Sequence, residues 1–312
     1  MFVIEINALS KRYDKGKGKL ALDNINLTIS DGMFVALLGH NGSGKSTLIK
    51  CVTGVMKALS GHCSIDGEDS FKHRKKLIKK MGIMFSQKTS FIIDLSVSDN
   101  LFFFKTIYGI DDKNYKNMLD YLDGYLNFKV LLDKPYRKLS LGERTKCEIV
   151  SVLLHAPQYI VLDEPTIGLD YEAKAGLYTL LGDMKIKGVT CLIITHEVDY
   201  IENFCDKAII LHHGKIALEY SAKEIGSVFR DKGRTALKIK HSGIIDEASA
   251  QHMLSLADSI NSAENTFRLP SVEHAEKEHI VQKLFKSFSI ISIETSEISI
   301  REMLEDVLKK GD

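Results

Sequence analysis

The chain has 312 residues, of which 44% are hydrophobic, and its 42 Lys and Arg nearly balance its 41 Asp and Glu, leaving a formal net charge of +1. This length suggests two domains, or one large domain with an appendix, and the composition provides enough apolar residues for a well-buried core. The neutral balance excludes a strong long-range attraction to nucleic acid or to an anionic membrane, although a local basic patch stays possible.

Cysteine usage and hydropathy indicate the cellular compartment of the protein and its relation to a membrane. The five cysteines fit no disulfide framework, because their number is odd and no two form a CxxC pair, so we expect reduced thiols in a cytosolic protein. The longest apolar stretches, such as Met33–Leu38, are far shorter than the ~20 residues of a spanning helix. The first residues lack the cationic leader and apolar core of a signal peptide. If the protein works at a membrane, we expect a partner to hold it there.

The first predicted elements are strands. Phe2–Ile6 and Ile25–Ile29 alternate apolar and polar residues with the period of two that is typical of half-buried strands, and a loop lies at Tyr13–Lys19. Met33–Leu38 is continuously apolar, and a glycine-rich stretch then leads into a helical pattern. A buried strand, a glycine loop and a helix form half of a βαβ unit.

The glycine-rich stretch satisfies the phosphate-loop pattern GxxxxGK[ST] at every position. Its residues are Gly39, His40, Asn41, Gly42, Ser43, Gly44, Lys45 and Ser46. Glycines allow successive backbone N–H groups to point inward, and the next helix adds its positive N-terminus at the same place. Lys45 should reach the β- and γ-phosphates of ATP, the Ser46 hydroxyl should bind Mg²⁺, and Thr47 should also contact the nucleotide. The alternative, a glycine-rich turn without function, requires a chance match on the order of one in a hundred.

Helical spacing dominates residues 89–155 and predicts a helical insertion. The helical segments are Ser98–Tyr108, Tyr115–Leu126 and Gly142–His155. Strand patterns then return at Tyr159–Leu162, Thr190–Thr195 and Lys207–Leu211. Buried strands that alternate with helices predict a doubly wound parallel sheet.

An acidic pair ends the first of these later strands. Because side chains alternate across a strand, the carboxylates of Asp163 and Glu164 can face different targets. Asp163 is the candidate for binding Mg²⁺ through water, and Glu164 is the candidate general base that polarises the attacking water. A solvated strand end is the default for such a pair alone, but the phosphate loop upstream favours the functional interpretation.

The last part of the chain, from about residue 221, carries no further motif with obvious chemistry. Its strand and helix patterns are, in order, Leu237–Lys240, Thr266–Leu269, Glu273–Phe285, Ile290–Ile293 and Ser299–Lys309. We predict a nucleotide-binding domain over residues 1–220 and an accessory α+β domain over residues 221–312.

In their order, the motifs of residues 2–220 resemble the nucleotide-binding domain of ATP-binding-cassette (ABC) transporters. The diagnostic signature of that family lies after the helical insertion and before the acidic strand. This chain has Leu139, Ser140, Leu141, Gly142 and Glu143 there, so that Leu141 replaces a Gly and Glu143 replaces the Gln of the usual LSGGQ. The serine and the second glycine, which approach the phosphate in the family, remain.

Four more residues match elements of the family by position. Tyr13 resembles the aromatic residue that stacks on adenine, and Gln87 resembles the Q-loop glutamine, a contact of ATP and Mg²⁺. Asp170 resembles the D-loop aspartate, and His196 resembles the switch histidine that contacts the γ-phosphate and completes the catalytic set with Glu164. Taken singly, these residues have plainer alternatives: a surface tyrosine, a solvated glutamine and a packed core histidine.

The resemblance implies an α/β P-loop NTPase core with an antiparallel β subdomain and a helical insertion. It also implies that two copies, or this chain and a homologous cassette, pack head to tail. ATP then lies between the phosphate loop of one cassette and Ser140, Leu141, Gly142, Glu143 and Asp170 of the other. Hydrolysis removes charge that holds the two cassettes together, and the population shifts towards the open dimer.

The resemblance also implies where in the cell the protein acts and which partner it binds. In the family, the zone that matches Thr89–Tyr108 forms part of a groove for a cytoplasmic helix of the membrane subunit, while core packing is the alternative for its apolar residues. Leu139–Glu143 and the ending Ser299–Leu308 resemble the type-2, drug-exporter group. We therefore predict the ATPase of an exporter, peripheral at the cytoplasmic face of the membrane. It would use ATP and Mg²⁺ and bind a separately encoded permease, without nucleic acid.

Two alternatives stay open at this point. The first is a soluble ABC ATPase that acts on ribosomes or DNA, although such translation factors usually carry two cassettes and this chain has one phosphate loop. DNA-repair types add coiled coils or zinc modules, and the sequence has neither heptads nor paired cysteines. The second alternative is an ATP-binding regulator without turnover, against which Glu164 and His196 argue.

Overall fold

The computed structural model describes residues 2–13, 18–86, 89–195, 198–221, 223–224, 235–257, 259–272 and 277–297. The chain divides into two compact units, Met1–Ile225 and Gly226–Asp312. Three predictions fall outside the described residues: the positions of Gln87 and His196, and the closing helix Ser299–Lys309. In the part of the chain that is described, no helix has both the length and the hydrophobicity to cross a membrane.

The first unit combines strands and helices, with three α-helices in succession in the region where the sequence predicts a helical insertion. Its strands are β1 (Phe2–Lys11), β2 (Leu22–Ser30), β3 (Phe34–Leu38), β4 (Ser60–Ile65), β5 (Glu68–Asp69), β6 (Met81–Met84), β7 (Tyr159–Asp163), β8 (Thr190–Ile194), β9 (Lys207–His212) and β10 (Lys215–Ser221). Its helices are α1 (Lys45–Val52), α2 (Arg74–Leu77), α3 (Val97–Tyr108), α4 (Asp112–Leu126), α5 (Leu141–Leu153), α6 (Tyr171–Ile186) and α7 (Val198–Phe204).

Two sheets organise this unit, and they confirm the predicted fold class. An antiparallel sheet has the order β2-β1-β4-β5, and a six-stranded sheet has the order β10-β9-β3-β8-β7-β6. In the larger sheet every neighbouring pair is parallel except β10 with β9. Every side chain of β3, β7 and β8 is buried, as expected for parallel strands that are covered on both faces. Because these strands are parallel, the residues that follow them meet at one edge of the sheet.

A buried amide fixes the loop that leads into α3. Asn100 is fully buried, and its Oδ1 accepts a hydrogen bond from the Ile92 amide at 2.7 Å. Its Nδ2 donates to the carbonyl oxygens of Ile92 and Ser96 at 3.1 and 2.9 Å. One side chain therefore satisfies three polar groups of a loop that has no regular secondary structure of its own.

The substitution Asn100→Ala is expected to lower the free energy of unfolding by about 3 kcal/mol, because it leaves these loop groups without their partner. Urea denaturation of the variant and of the unmodified chain would measure the difference. Lys113→Ala, at an exposed position of α4, serves as the control and should stay within about 0.5 kcal/mol. Equal stability of the Asn100 and Lys113 variants would contradict the prediction.

The second unit has a βαββαβ order. Its elements are β11 (Thr235–Ile244), α8 (Glu247–Ser255), β12 (Ser259–Asn261), β13 (Thr266–Val272), α9 (Lys277–Ser287) and β14 (Phe288–Glu297). The sheet is antiparallel with the order β12-β13-β11-β14, which is the ferredoxin-like arrangement. Leu237, Ile239, Phe267 and Leu284 lie in its core. The sequence prediction of a small α+β unit omitted α8 and β12.

Candidate functional site

The phosphate loop joins β3 to α1, and its shape depends on glycine. Gly39, Gly42 and Gly44 have φ angles of 145, 81 and 111°, in the region that L side chains rarely adopt. A Cβ atom at Gly39 would lie 2.3 Å from the carbonyl oxygen of Leu211, and one at Gly44 would lie 2.6 Å from that of Ala21. Neighbouring backbone therefore leaves no room for a side chain at either position.

Lys45 lies buried across this loop. Its Nζ donates hydrogen bonds to the carbonyl oxygens of Gly39 and His40 at 2.5 and 3.0 Å. Burial lowers the pKa of Lys45, and the nearby carboxylates of Glu164 and Asp163 act in the opposite direction. A buried ammonium group held only by backbone carbonyls and two acids beside it is suited to receive an anionic group, because a phosphate adds the charge compensation that burial removes.

The acidic pair stands at the carboxyl end of β7. Asp163 is the last residue of the strand, and its Oδ2 accepts a hydrogen bond from the Ser46 hydroxyl at 3.4 Å. Burial, followed by the charge of Glu164, raises the pKa of Asp163. Glu164 has a φ of 55°, and its amide donates to the carbonyl oxygen of Ile194 at 3.0 Å. A non-glycine residue held in the left-handed region is typical of functional sites, where strain is maintained by surrounding contacts.

These groups share one open cleft with a volume of about 620 Å³. The predicted residues that line it are Tyr13, Asn41, Gly42, Gly44, Lys45, Ser46, Thr47, Asp163 and Glu164. Tyr13 is 58% exposed, and its hydroxyl lies 2.8 Å from Thr47 Oγ1, so the tyrosine lies beside the helix that follows the loop. The volume falls within the range of small-molecule sites.

The other predicted loop residues lie outside the lining of the cleft. Gly39 and Ser43 are buried, and neither they nor His40 are among the residues that line the cleft. The Gly214 amide, in the turn between β9 and β10, donates to the Ser43 carbonyl oxygen at 2.9 Å. The Ser43 amide in turn donates to the carbonyl oxygen of His40 at 3.1 Å. The end of β9 and the turn after it therefore support the loop.

The signature segment forms the N-terminus of α5. The Ser140 hydroxyl accepts from the Glu143 amide at 3.2 Å, and Glu143 Oε2 accepts from the Ser140 amide at 2.8 Å. This reciprocal pair is a capping box, in which two otherwise unpaired amides are satisfied. Glu143, the replacement for glutamine, therefore preserves the start of the helix.

Leu141 and Gly142 pack against the loop that precedes α6. A Cβ atom at Gly142 would lie 2.5 Å from the carbonyl oxygen of Gly168, and one at Gly168 would lie 2.6 Å from Leu141 Cγ. Asp170 caps α6, with its Oδ1 accepting from the Ala173 amide at 2.8 Å. Close backbone approach therefore explains why glycine stands at position 142, while Leu141 is 59% exposed.

The structure divides most of the predicted residues into two sets, although Leu141 lines a neighbouring cleft that Asp163 and Glu164 also line. Ser140, Leu141, Gly142, Glu143 and Asp170 do not line the phosphate-loop cleft of the same chain. The positions of Gln87 and His196 lie outside the described residues, so their roles stay predictions.

Sequence reasoning missed some cleft residues. They are Ala21, Lys50, Phe85, Ser86 and Ile194. Phe85 and Ser86 follow β6 directly, at the sheet edge where β7 also ends, so the strand pattern contains a signal for them. Ala21 carries no such signal, because only folding brings it beside the loop, whereas Lys50 lies about one helical turn after Ser46 on α1.

The donor atoms beside the loop fit a magnesium ion. The Ser46 hydroxyl and the Asp163 carboxylate lie together, and both offer the oxygen ligands that Mg²⁺ takes in proteins. The raised pKa of Asp163 indicates a carboxylate whose charge the surrounding groups compensate incompletely. Mg²⁺ is commonly bound by one or two carboxylates together with substrate phosphates, which this cleft can accommodate.

Comparison with known proteins identifies the family. The family model described as ABC transporter matches residues 22–167. A putative ABC transporter ATP-binding protein of Methanosarcina mazei is 34% identical, over 72% of this chain and 68% of its own length. The galactose/methyl galactoside import ATP-binding protein MglA of Treponema denticola is 33% identical, over 69% of this chain and 44% of its own length.

A solved structure extends the similarity to three dimensions. The structure of cbiO1 from Clostridium perfringens, part of the ABC transporter complex cbiONQ, is 30% identical with a TM-score of 0.62. The match covers 72% of this chain and 91% of that structure. The chain belongs to the ABC transporter ATP-binding proteins, a family of ATPases that function in transport.

Proposed function

We propose that this chain is the ATP-hydrolysing subunit of a membrane exporter and that it works in a head-to-tail pair of cassettes. The observation that carries the proposal is the single cleft in which the phosphate loop faces the acidic pair Asp163 and Glu164. A triphosphate site and a carboxylate base in one cleft suit hydrolysis of ATP, because phosphoryl transfer needs positioning and charge stabilisation more than covalent chemistry.

Each side chain of the cleft has a role in this proposal. The loop amides and Lys45 bind the phosphates, and Tyr13 lies where a ring can stack on adenine. Ser46 and Asp163 would hold Mg²⁺, which neutralises phosphate charge when it is bound. Glu164 orients the attacking water and accepts its proton.

The second set of predicted residues supports a dimer. The N-terminus of α5 at Ser140 carries a positive partial charge that favours an anion, yet these residues do not line the cleft of their own chain. A second cassette can present this N-terminus and Asp170 to the γ-phosphate. ATP then joins the two cassettes, and hydrolysis releases them.

An exposed apolar surface supports a membrane partner. The zone Thr89–Tyr108 contains both buried and exposed apolar residues. Phe91 and Leu101 are buried and pack in the core of the unit. The exposed group consists of Ile92, Ile93, Leu95, Phe102, Phe103 and Ile107. A cluster of exposed apolar side chains on a soluble unit is typical of an interaction site.

Export is the finer part of the proposal, and it rests on the resemblance of Leu139–Glu143 to the type-2 exporter group. One relative, MglA, is named as an import ATP-binding protein. The direction of transport therefore needs a test of its own, separate from the test of coupling to a membrane partner.

Copurification in mild detergent tests the coupling. Tagged chain carrying Glu164→Gln, which should trap the ATP-bound dimer, is expected to bring a polytopic membrane protein in stoichiometric amount. Ile93→Asp added to this chain should abolish that association, whereas Ile186→Asp, at an exposed apolar position of α6, should leave it intact. In a chain with Glu164 unchanged, Ile93→Asp should retain ATPase activity. Recovery of ribosomes or nucleic acid instead of a membrane protein would overturn the proposal and support the soluble alternative.

Vesicles that contain the complex with Glu164 unchanged, and with the cassettes facing outward, test the direction. For an exporter, cell extract added together with ATP on the cassette side should stimulate ATP hydrolysis. For an importer, stimulation should require extract enclosed in the lumen. The second outcome would overturn export and leave the transporter assignment intact.

A further inference from the structure

We propose that Lys134 is a positioning residue for the ATP contact across the dimer, because its ammonium group neutralises the Glu143 carboxylate at the N-terminus of α5. The inference rests on the proposed head-to-tail dimer. Lys134 lies outside the signature segment itself, in the chain that leads from the helical insertion towards α5.

The replacement of glutamine by Glu143 creates an electrostatic problem. The N-terminus of α5 attracts anions through its unpaired amides and partial positive charge. A carboxylate in the first turn of the helix offsets that charge and repels an approaching triphosphate. A signature with glutamate therefore needs a compensating cation, whereas a signature with glutamine does not.

Lys134 supplies the compensating charge. Its Nζ donates to Glu143 Oε1 at 2.9 Å, while Glu143 Oε2 accepts from the Ser140 amide at 2.8 Å. Both carboxylate oxygens are thus engaged, one by the lysine and one by the cap. The contact with Lys134, followed by that with the Ser140 amide, lowers the pKa of Glu143. Glu143 is therefore ionised at neutral pH, so its charge must be offset by a cation rather than removed by protonation.

The backbone holds Lys134 in place for this contact. The Val97 amide, at the start of α3, donates to the Lys134 carbonyl oxygen at 3.0 Å, and the Lys134 amide donates to the Leu131 carbonyl oxygen at 3.0 Å. The next residue, Pro135, forms a β-bridge with Ser96. Two backbone hydrogen bonds and a bridge fix the origin of the lysine side chain, unlike a long side chain on an unconstrained surface loop.

A nearby cation is engaged elsewhere. Arg144 follows Glu143 in the sequence, but its Nη2 donates to the Arg137 carbonyl oxygen at 2.9 Å. Its guanidinium group also lies over the ring of Tyr136, 5.4 Å from the ring centroid. Arg144 therefore supports the segment before α5, and Lys134 is the lysine that pairs with the signature carboxylate.

A double-mutant cycle in the full chain tests the inference. Lys134→Met should raise the KM for ATP about tenfold, because it leaves a carboxylate uncompensated near the bound triphosphate, and should change kcat by less than about twofold. In a chain that already carries Glu143→Gln, adding Lys134→Met should change the KM by less than about twofold, because no carboxylate is left to compensate. Lys134→Arg should likewise preserve the KM for ATP of the unmodified chain. The unfolding midpoint should hardly change, because the pair is solvent-accessible.

The cycle separates an electrostatic role from a structural one. An unchanged KM in Lys134→Met would overturn the inference, and so would an increase in KM of the same size when Lys134→Met is added to Glu143→Gln. ATP-dependent dimerisation of Glu164→Gln, followed by light scattering, is measured in parallel. If ATP produces no dimer even with Lys134 and Glu143 intact, the proposed head-to-tail function itself fails. If the dimer forms and Lys134→Met binds ATP normally, only the role of Lys134 fails.

Discussion

Replacing Glu164 with glutamine is expected to lower kcat for ATP hydrolysis about a thousandfold while ATP binding is retained. Glutamine has nearly the shape of glutamate but cannot accept a proton from the attacking water. The amide hydrogen bond to Ile194 and the left-handed backbone at this position do not depend on the carboxylate, so the loop after β7 should keep its conformation. The loss should therefore appear in the rate and not in the affinity.

Steady-state phosphate release and equilibrium binding of ATP, measured on the same preparations, would separate the two quantities. Glu172→Gln, an exposed acid in the first turn of α6, is the matched control and should hydrolyse ATP at the unmodified rate. If Glu164→Gln hydrolysed ATP as fast as this control, Glu164 would not be the base. A rate equally low in both variants and in the unmodified chain would favour the regulator without turnover.

The predicted strands that the structure contains are those with local signals. Met33–Leu38 is continuously apolar because β3 is buried on both faces. The phosphate loop then begins with Gly39, where the nearby backbone of Leu211 leaves no room for a side chain. The acidic pair could be recognised as the end of a strand, because a buried apolar strand does not continue through two carboxylates. In each case the physical constraint acts on residues that are neighbours in the sequence, so it produces a recognisable sequence pattern.

What the sequence could not predict depends on residues that are distant along the chain. Asn100 reads as an ordinary polar residue in a helix, and only its three bonds to the preceding loop reveal a structural role. Helix α8 was missed because only Ala250 and Met253 are buried in it, which gives a weak helical period. The pairing of Lys134 with Glu143 also requires the fold, since nine residues separate them.

The substitution Gly39→Ala is expected to lower the affinity for ATP roughly a hundredfold, because it displaces the phosphate-binding backbone. The added Cβ would lie 2.3 Å from the Leu211 carbonyl oxygen and 2.6 Å from Ser43 Oγ, and the φ of 145° already disfavours a side chain. The first contact is with the backbone of β9, which is held in the central sheet, so the loop must move instead of the strand. We also expect the free energy of unfolding to fall by about 3 kcal/mol.

Gly42→Ala in the same loop is the matched control, because Gly42 also has a positive φ, 81°, but a Cβ there meets no atom within 4 Å. It should cost only the backbone strain, about 1 kcal/mol, and should weaken ATP binding far less than Gly39→Ala. Titration with ATP and urea denaturation of both variants would measure the two effects. Equal losses of ATP affinity and stability in the two variants would mean that backbone strain alone determines the conformation of the loop. A large difference would identify the end of β9 as the support that fixes the phosphate site.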